Sequence, residues 1–493
     1  MCVDWQGSCN ELCLYQEQWL EWPINHYLEL DTLQCVQEWN STTHIAIIDT
    51  QLGERPVCRS FQYFVDTDSQ SVLELGTKQH PFKNLQFVFV ELLNFHSHSD
   101  RSISVYCMEN TTNYIMLSMA YIINITSVTI LPYNNDNTEV TTKPTLIGQD
   151  AEILVPIRGT SFNILQNFDL RTADMIDNNP DITDIEKQEI NQSSFLLLIL
   201  RSSFYIDGFD LKTEYGSKIN ENAFFYYIHI QERQITMLNL NFEISGYTMQ
   251  TRYPLNLYVE HIAVDYTQNI KGFMLEIDCN YPEANLEGLI SIKNISAYYE
   301  NDREINQTTG NFFSYNGPAD LLIEDFDINV FSYTNEPYAQ ISVSTGDTWN
   351  SDNLDTIKYF NATNIGFRLT ENSGNASTYM EINYASELYR EIQVNISNFS
   401  WIDWLNSSNP PIISLGNSLA SQTINGMHFY NSSSYAGLIW HQSWNSLTVN
   451  NILIQYYSSL SQYTIVAKSI MNLEIHNFTS TNSVFSNDWI DTL

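Results

Sequence analysis

Asp177, Asn179, Asp181 and Asp184 stand close together in one polar stretch. Carboxylate and amide oxygens at that spacing are hard ligands suited to Ca2+. Their order does not follow the Asp-x-Asp-x-Asp-Gly loop, so a solvated acidic loop is the stronger expectation, with weak, diffuse Ca2+ binding spread over the acidic surface. A second acidic group comprises Asp320, Glu324, Asp325 and Asp327. A pair of carboxylates could hydrolyse a glycosidic bond. In a strand, alternation sends Asp325 and Asp327 to one face and Glu324 to the other. A solvent-facing strip with Asp325 serving a turn is the plainer reading. Trp401, Trp404, Trp440 and Trp444 could stack on sugar rings, with Asp403 and His441 as polar edges. Aromatics packed inside the fold are the ordinary alternative. No Gly-rich phosphate cradle, His-Glu-x-x-His, Gly-x-Ser-x-Gly or Cys/His nucleophile arrangement stands out.

Thirteen Asn-x-Ser/Thr sequons favour passage through a secretory route. Asn40, Asn110, Asn191, Asn306, Asn361, Asn375, Asn406 and Asn431 are the expected acceptors of N-linked glycans. Five of seven cysteines, Cys2, Cys9, Cys13, Cys35 and Cys58, cluster near one end, as in a disulfide-stapled segment. Spacing alone does not assign their pairing, and Cys107 and Cys279 stand apart. The start of the chain lacks the basic residues and apolar run of a secretory leader, so a removed leader or a longer parent chain is expected. The formal charge of −36, from 21 Lys+Arg against 57 Asp+Glu, disfavours nucleic acid and anionic membranes as partners. No apolar run reaches the ~18–20 residues of a membrane span. With 43% hydrophobic residues the chain is too apolar to be a disordered acidic tail.

These residues must be held by elements, and the elements repeat. From residue 127 to 477 a strand ending in a turn residue, then apolar-x-apolar, returns at intervals of 20 to 41 residues. Such a period indicates a solenoid. Asn167, Asn241, Asn294, Asn364, Asn398, Asn451 and Asn477 fill the turn position, and Gly208, His261, Asp325 and Gly426 fill it elsewhere. Gly, Asn, Asp and His are the residues that best accept positive φ at a sharp bend. Stacked Asn side chains would form a hydrogen-bonded ladder. The interval of 20 makes either Asn241 or His261 a false anchor. Asn294, Asn398 and Asn477 lie within sequons, and a place in the ladder would leave them unmodified.

Upstream, Val65-Asp66 ends a strand, Gly76-Thr77 and Pro81-Phe82-Lys83 follow, and Leu85-Gln86 opens an apolar run at helical spacing. Pro81 suits a first helical turn. This stretch resembles the start of right-handed parallel β-helix proteins of the pectate-lyase-like superfamily, in which a short amphipathic helix plugs the first coil. The resemblance implies fold only. The superfamily's Asn-Thr-Asp, Asp-Asp, Gly-His-Gly and Arg-Ile-Lys motifs are missing, and basic residues beside an acidic cluster are scarce.

The expected fold is therefore all-β: a right-handed parallel β-helix of about eleven to twelve coils and ~55 Å, with an N-terminal amphipathic capping helix and a Cys-rich lead-in. The lead-in spans 1–58, the strand and capping helix 59–95, and the β-helix 96–493, with its largest insertion at about 174–194. Composition and lead-in are similar to large ciliate surface proteins that string β-helices before Cys-rich and membrane modules. The expected function is that of a non-catalytic extracellular structural or adhesive glycoprotein, a rod in a coat or filament with no resident cofactor. Its partners would be other copies, other surface glycoproteins or glycans. The alternatives are a polysaccharide lyase or glycoside hydrolase with a divergent site, and a glycan-binding module.

Overall fold

A computed structural model describes residues 27–31, 34–36, 44–49, 55–93, 101–149 apart from 117–119, 124 and 137–138, and 184, 187 and 188; from 195 onward it describes 195–213, 223–228, 233–243, 247–252, 256–266, 275–278, 288–301, 311–316, 320–332, 338–345, 358–369, 377–384, 392–403, 413–415, 421–434, 438–442, 446–459, 465–468, 472–485 and 490–492. Among these residues the chain is all-β, and its main body is a parallel β-helix. One 16-stranded and one 12-stranded sheet run its length, with neighbouring strands parallel. In the larger sheet the order runs from Gln62–Val65 at one end to Asn472–Thr481 at the other.

Each long strand of the larger sheet runs through a bend. In Ile392–Ile402 the bend is Asn398, with φ 53°. Val394 and Ile396 before it, and Phe399 and Trp401 after it, are buried. Alternation alone would place inward residues at even spacing throughout. The left-handed corner residue uses up one place, so inward positions fall at −4, −2, +1 and +3 from the corner. Asn364 obeys the same rule with Phe360, Ala362, Ile365 and Phe367, and Asn451 with Leu447, Val449, Ile452 and Ile454. These inward residues join one continuous hydrophobic cluster. Burial at about 25 cal/mol per Å² of apolar surface makes that cluster the principal stabilising term.

At the N-terminal end, Gln62–Val65 begins the larger sheet. At the parallel Val65–Phe82 bridge the Phe82 N–H donates to Phe64 O at 2.9 Å and Phe82 O accepts the Asp66 N–H at 2.8 Å, while the Phe64 N–H donates to the O of Gly76, which takes φ 70°. Pro81 therefore lies in extended chain rather than in a first helical turn. The helix runs Leu85–Leu93, and Asn84 caps it: its Oδ1 accepts the Gln86 N–H at 2.8 Å. Leu85, Val88, Phe89 and Leu92 are buried, and the helix packs on Ala120–Ile123, the terminal strand of the smaller sheet.

A separate four-stranded sheet contains Tyr27–Glu29, Gln34–Val36, His44–Asp49 and Arg55–Ser60. Cys35 and Cys58 lie opposite Leu28 and Glu29 on the two strands that flank Tyr27–Glu29. Two strand spacings, ~9.6 Å, separate such positions, more than the roughly 7 Å that a disulfide spans. That register opposes a Cys35–Cys58 bridge. Cys2, Cys9, Cys13 and Cys279 lie outside the described residues.

Candidate functional site: the corner ladder and its outer faces

Ten successive corners have positive φ and fall opposite one another: Gly208, Asn239, His261, Asn294 and Asp325, then Asn364, Asn398, Gly426, Asn451 and Asn477. The corner assigned to Asn241 is corrected to Asn239, which has φ 53°. Measured from Asn239, the inward places hold Ile235, Met237, Leu240 and Phe242, all buried. Measured from Asn241, one inward place would hold the polar Asn239. Asn241 instead points outward from the strand, and its Nδ2 donates to Asp210 Oδ1 at 2.8 Å. Asn167 lies outside the described residues.

Side chains link the corners along the axis. Asn364 Nδ2 donates to Asp325 Oδ1 at 2.6 Å, Asn398 Nδ2 to Asn364 Oδ1 at 2.9 Å, and Asn477 Nδ2 to Asn451 Oδ1 at 2.9 Å. Asn294 Nδ2 meets His261 Nε2 at 3.3 Å. At Gly426 the rung is missing: a Cβ there would sit 2.8 Å from Asn398 Oδ1. Its neighbour Asn425 fills in, accepting from Asn451 Nδ2 at 2.7 Å.

A second line of corners was not foreseen. Asp403, Asn431, Tyr456 and Asn482 also have positive φ, each five residues beyond a ladder corner. Asn431 Nδ2 donates to Asp403 Oδ1 at 2.9 Å. The sequence carries the signal as Asn/Asp/Gly pairs five apart, interrupted only by Tyr456.

This geometry bears on the sequons. Asn431, an expected acceptor, is exposed, and one of its two Nδ2 N–H groups donates to Asp403 Oδ1 at 2.9 Å. Asn361, also expected, sits half-buried within strand Lys358–Leu369 and accepts from Asn395 Nδ2 at 2.9 Å. A strand alternates its faces, so Asn-x-Ser/Thr with an apolar middle residue puts both polar ends outside and one residue in the core. Asn294, Asn361, Asn395 and Asn398 fit this: Ile295, Ala362, Ile396 and Phe399 between them are buried. Asn110 is exposed in a turn with φ 56° and stays open to modification. Asn40, Asn191, Asn306, Asn375 and Asn406 lie outside the described residues.

The acidic group of strand Asp320–Ser332 is engaged with its neighbours. Asp320 Oδ1 accepts the Tyr359 N–H at 3.0 Å, Asp325 Oδ1 accepts from Asn364, and Glu324 pairs with Lys293 at 2.9 Å. The Glu324 hydrogen bond raises the Lys293 ammonium above its ordinary value. The corner at Asp325 also shifts the alternation: Glu324 is half-exposed, Asp325 and Asp327 are exposed, and Phe326 turns inward. Glu324 and Asp327 are therefore not on opposite sides of the sheet, as even alternation had implied. Trp401 is fully buried, so it offers no face to a sugar. Trp404 and Trp444 lie outside the described residues, and Trp440 and His441 are described only as backbone of strand Ile439–Gln442. Of the Ca2+ candidates, Asp184 is exposed, while Asp177, Asn179 and Asp181 lie outside the described residues. No group of three metal-ligating side chains occurs among the described residues. Cys107 is buried in strand Ser102–Met108, and desolvation pushes its thiol far up, so it is chemically inert.

Beyond the corners, the outer face carries a shallow groove of about 420 Å³. Ala263 and Ser296 lie along it, flanked by Glu243, Asp265, Tyr298 and Asn329. Lys212 closes one end with a 2.6 Å bond to Glu243, which raises the lysine's pKa. That pair is largely solvated and contributes little to stability. No protein-family model matches the chain, and no curated protein matches it either.

Proposed function

We propose that this chain is a non-catalytic extracellular structural or adhesive glycoprotein, a stiff β-helical rod that presents loops and N-glycans within a surface coat or filament. One observation carries the reading: ten corners keep one register, and side-chain bonds tie successive coils. Such a stack resists bending because every coil is bonded to two others across parallel strands. The carboxylates of Asp320, Glu324 and Asp325 serve inter-coil bonds, which supports the structural reading over a hydrolytic one. Among the described residues no helix is long and apolar enough to cross a membrane. The rod's partners are other copies or other surface glycoproteins, and its −36 charge recruits Ca2+ only as a diffuse atmosphere. The comparison with ciliate surface proteins belongs to this reading as well. Electron microscopy of the protein in its native setting tests it. Aligned rods at a cell surface or in a filament are expected. A dispersed protein that releases sugar fragments from polysaccharides would contradict it.

A further inference from the structure

The outer face on the N-terminal side of the ladder changes character over four consecutive coils. At three residues before the corner it carries Asn361, Asn395, Thr423 and Thr448. At one residue before the corner it carries Thr363, Ser397, Asn425 and Asn450. The corners themselves are Asn364, Asn398, Gly426 and Asn451. No position in these three columns is charged. The adjoining coil on one side brings Glu324 and Asp325, and on the other Glu474 and His476. The edge is sharp on a chain with 57 acidic residues.

Cross-coil bonds set the array. Asn395 Nδ2 donates to Asn361 Oδ1 at 2.9 Å and Ser397 Oγ to Thr363 Oγ1 at 3.1 Å. An amide has two N–H groups and two lone-pair sites, so each bonded amide keeps valences for a ligand. Those valences repeat at the strand spacing of ~4.8 Å. Tyr359, 40% exposed, borders the array two residues before Asn361 and adds an aromatic surface.

We propose that this face binds a neutral polysaccharide, one extended chain lying along the helix axis with successive sugar units over successive coils. Groups that both donate and accept match sugar hydroxyls, which do the same. The absence of charge offers nothing to an acidic polysaccharide or a basic peptide. A second copy of the protein is a poor occupant: four coils by five residues give roughly 300 Å², well under the ~800 Å² per partner of a stable protein interface. The proposal does not depend on the rod belonging to a coat, and it uses neither the tryptophans nor the acidic group.

Calorimetric titration of the full chain with cellohexaose, mannohexaose, chitohexaose and hexagalacturonate tests it. At least one neutral hexamer should bind, with affinity rising with oligomer length up to about four units and then flattening. Tyr359→Ala and Thr423→Glu should each weaken binding at least about tenfold. Tyr298→Ala, in the groove beyond the corner, should leave it unchanged. Circular dichroism checks that each variant folds, and Thr448→Glu replaces any that does not. Failure of every neutral hexamer to bind, equal binding of hexagalacturonate, or neutral binding that survives both substitutions would overturn the proposal. So would N-glycan found at Asn361 or Asn395, which would cover the face.

Discussion

Asn398 carries two separate loads, a left-handed backbone and a rung of the ladder. Placing an alanine in that conformation costs about 1–2 kcal/mol, and losing the side-chain bond about 1 kcal/mol more. Asn398→Ala should thus destabilise its coil by about 2–3 kcal/mol, while Asn398→Gly should lose only the second part; urea denaturation followed by fluorescence measures both. Tyr456 is the reverse case, a bulky residue at φ 52° and 53% exposed. Tyr456→Asn should stabilise by about 1 kcal/mol, read as a raised thermal midpoint. Asp66 provides a pH dependence. Desolvation raises its pKa above 3.8, outweighing the bond from the Asp68 N–H. The folded state therefore holds the proton more tightly than the unfolded chain, and stability falls as pH rises from the unfolded value through the raised one. Asp66→Asn removes that loss. The midpoint of the variant should gain on the wild type as pH rises from the unfolded value of about 3.8 through the raised one, and the gain should then stay constant; a difference that is the same at every pH would contradict the assignment.

At the scale of elements, the corner is where the sequence was most readable, because only a few residue types tolerate positive φ. Asn294, Asn364, Asn398, Asn451 and Asn477 each carry that signature. Asn239 and Asn241 defeat it together, since each precedes an apolar residue. Only the inward pattern at −4, −2, +1 and +3 separates them, and it becomes visible once a corner is seen to consume one alternation step. Asn239→Ala should accordingly cost about 2 kcal/mol and Asn241→Ala less than about 1 kcal/mol. The second line of corners was harder to read because its bends are shared by few coils and one is a tyrosine. The helix was legible from its apolar spacing, but Pro81 drew its start too early; Phe82 pairs with Val65 instead, and Asn84 supplies the cap. Burial depends on that same alternation. Trp401 fills one coil with 0% exposure, and Trp401→Ala should cost about 3–5 kcal/mol through the cavity it leaves. Its indole also shows why the tryptophan row suggested a sugar platform: residue type reveals chemistry, whereas corner phase decides which face displays it.

The β-helix is nearly one-dimensional, with each inner coil resting on two neighbours. Composition made its charge legible, but not how the charge is distributed: the uncharged Asn/Thr face emerges only when residues 25 to 34 apart are stacked in register. The sequons inside strands follow the same alternation, because the two faces of a strand and the Asn-x-Ser/Thr signal share a period of two. With a net charge of −36 on the chain, self-repulsion opposes folding, so added salt should raise the thermal midpoint steeply up to about 0.15 M and less beyond it. The most direct measurement of the single-axis stack is a disulfide trap between coils. Ala263 and Ser296 are register partners on the outer face, 33 residues apart in sequence. In the Ala263→Cys, Ser296→Cys double variant, mild oxidation and peptide mass spectrometry should find one intramolecular cross-link in high yield. The Ala263→Cys, Ala297→Cys pair, whose second residue faces the core, should give none. Equal yields from the two pairs, or no link between 263 and 296, would contradict the stack.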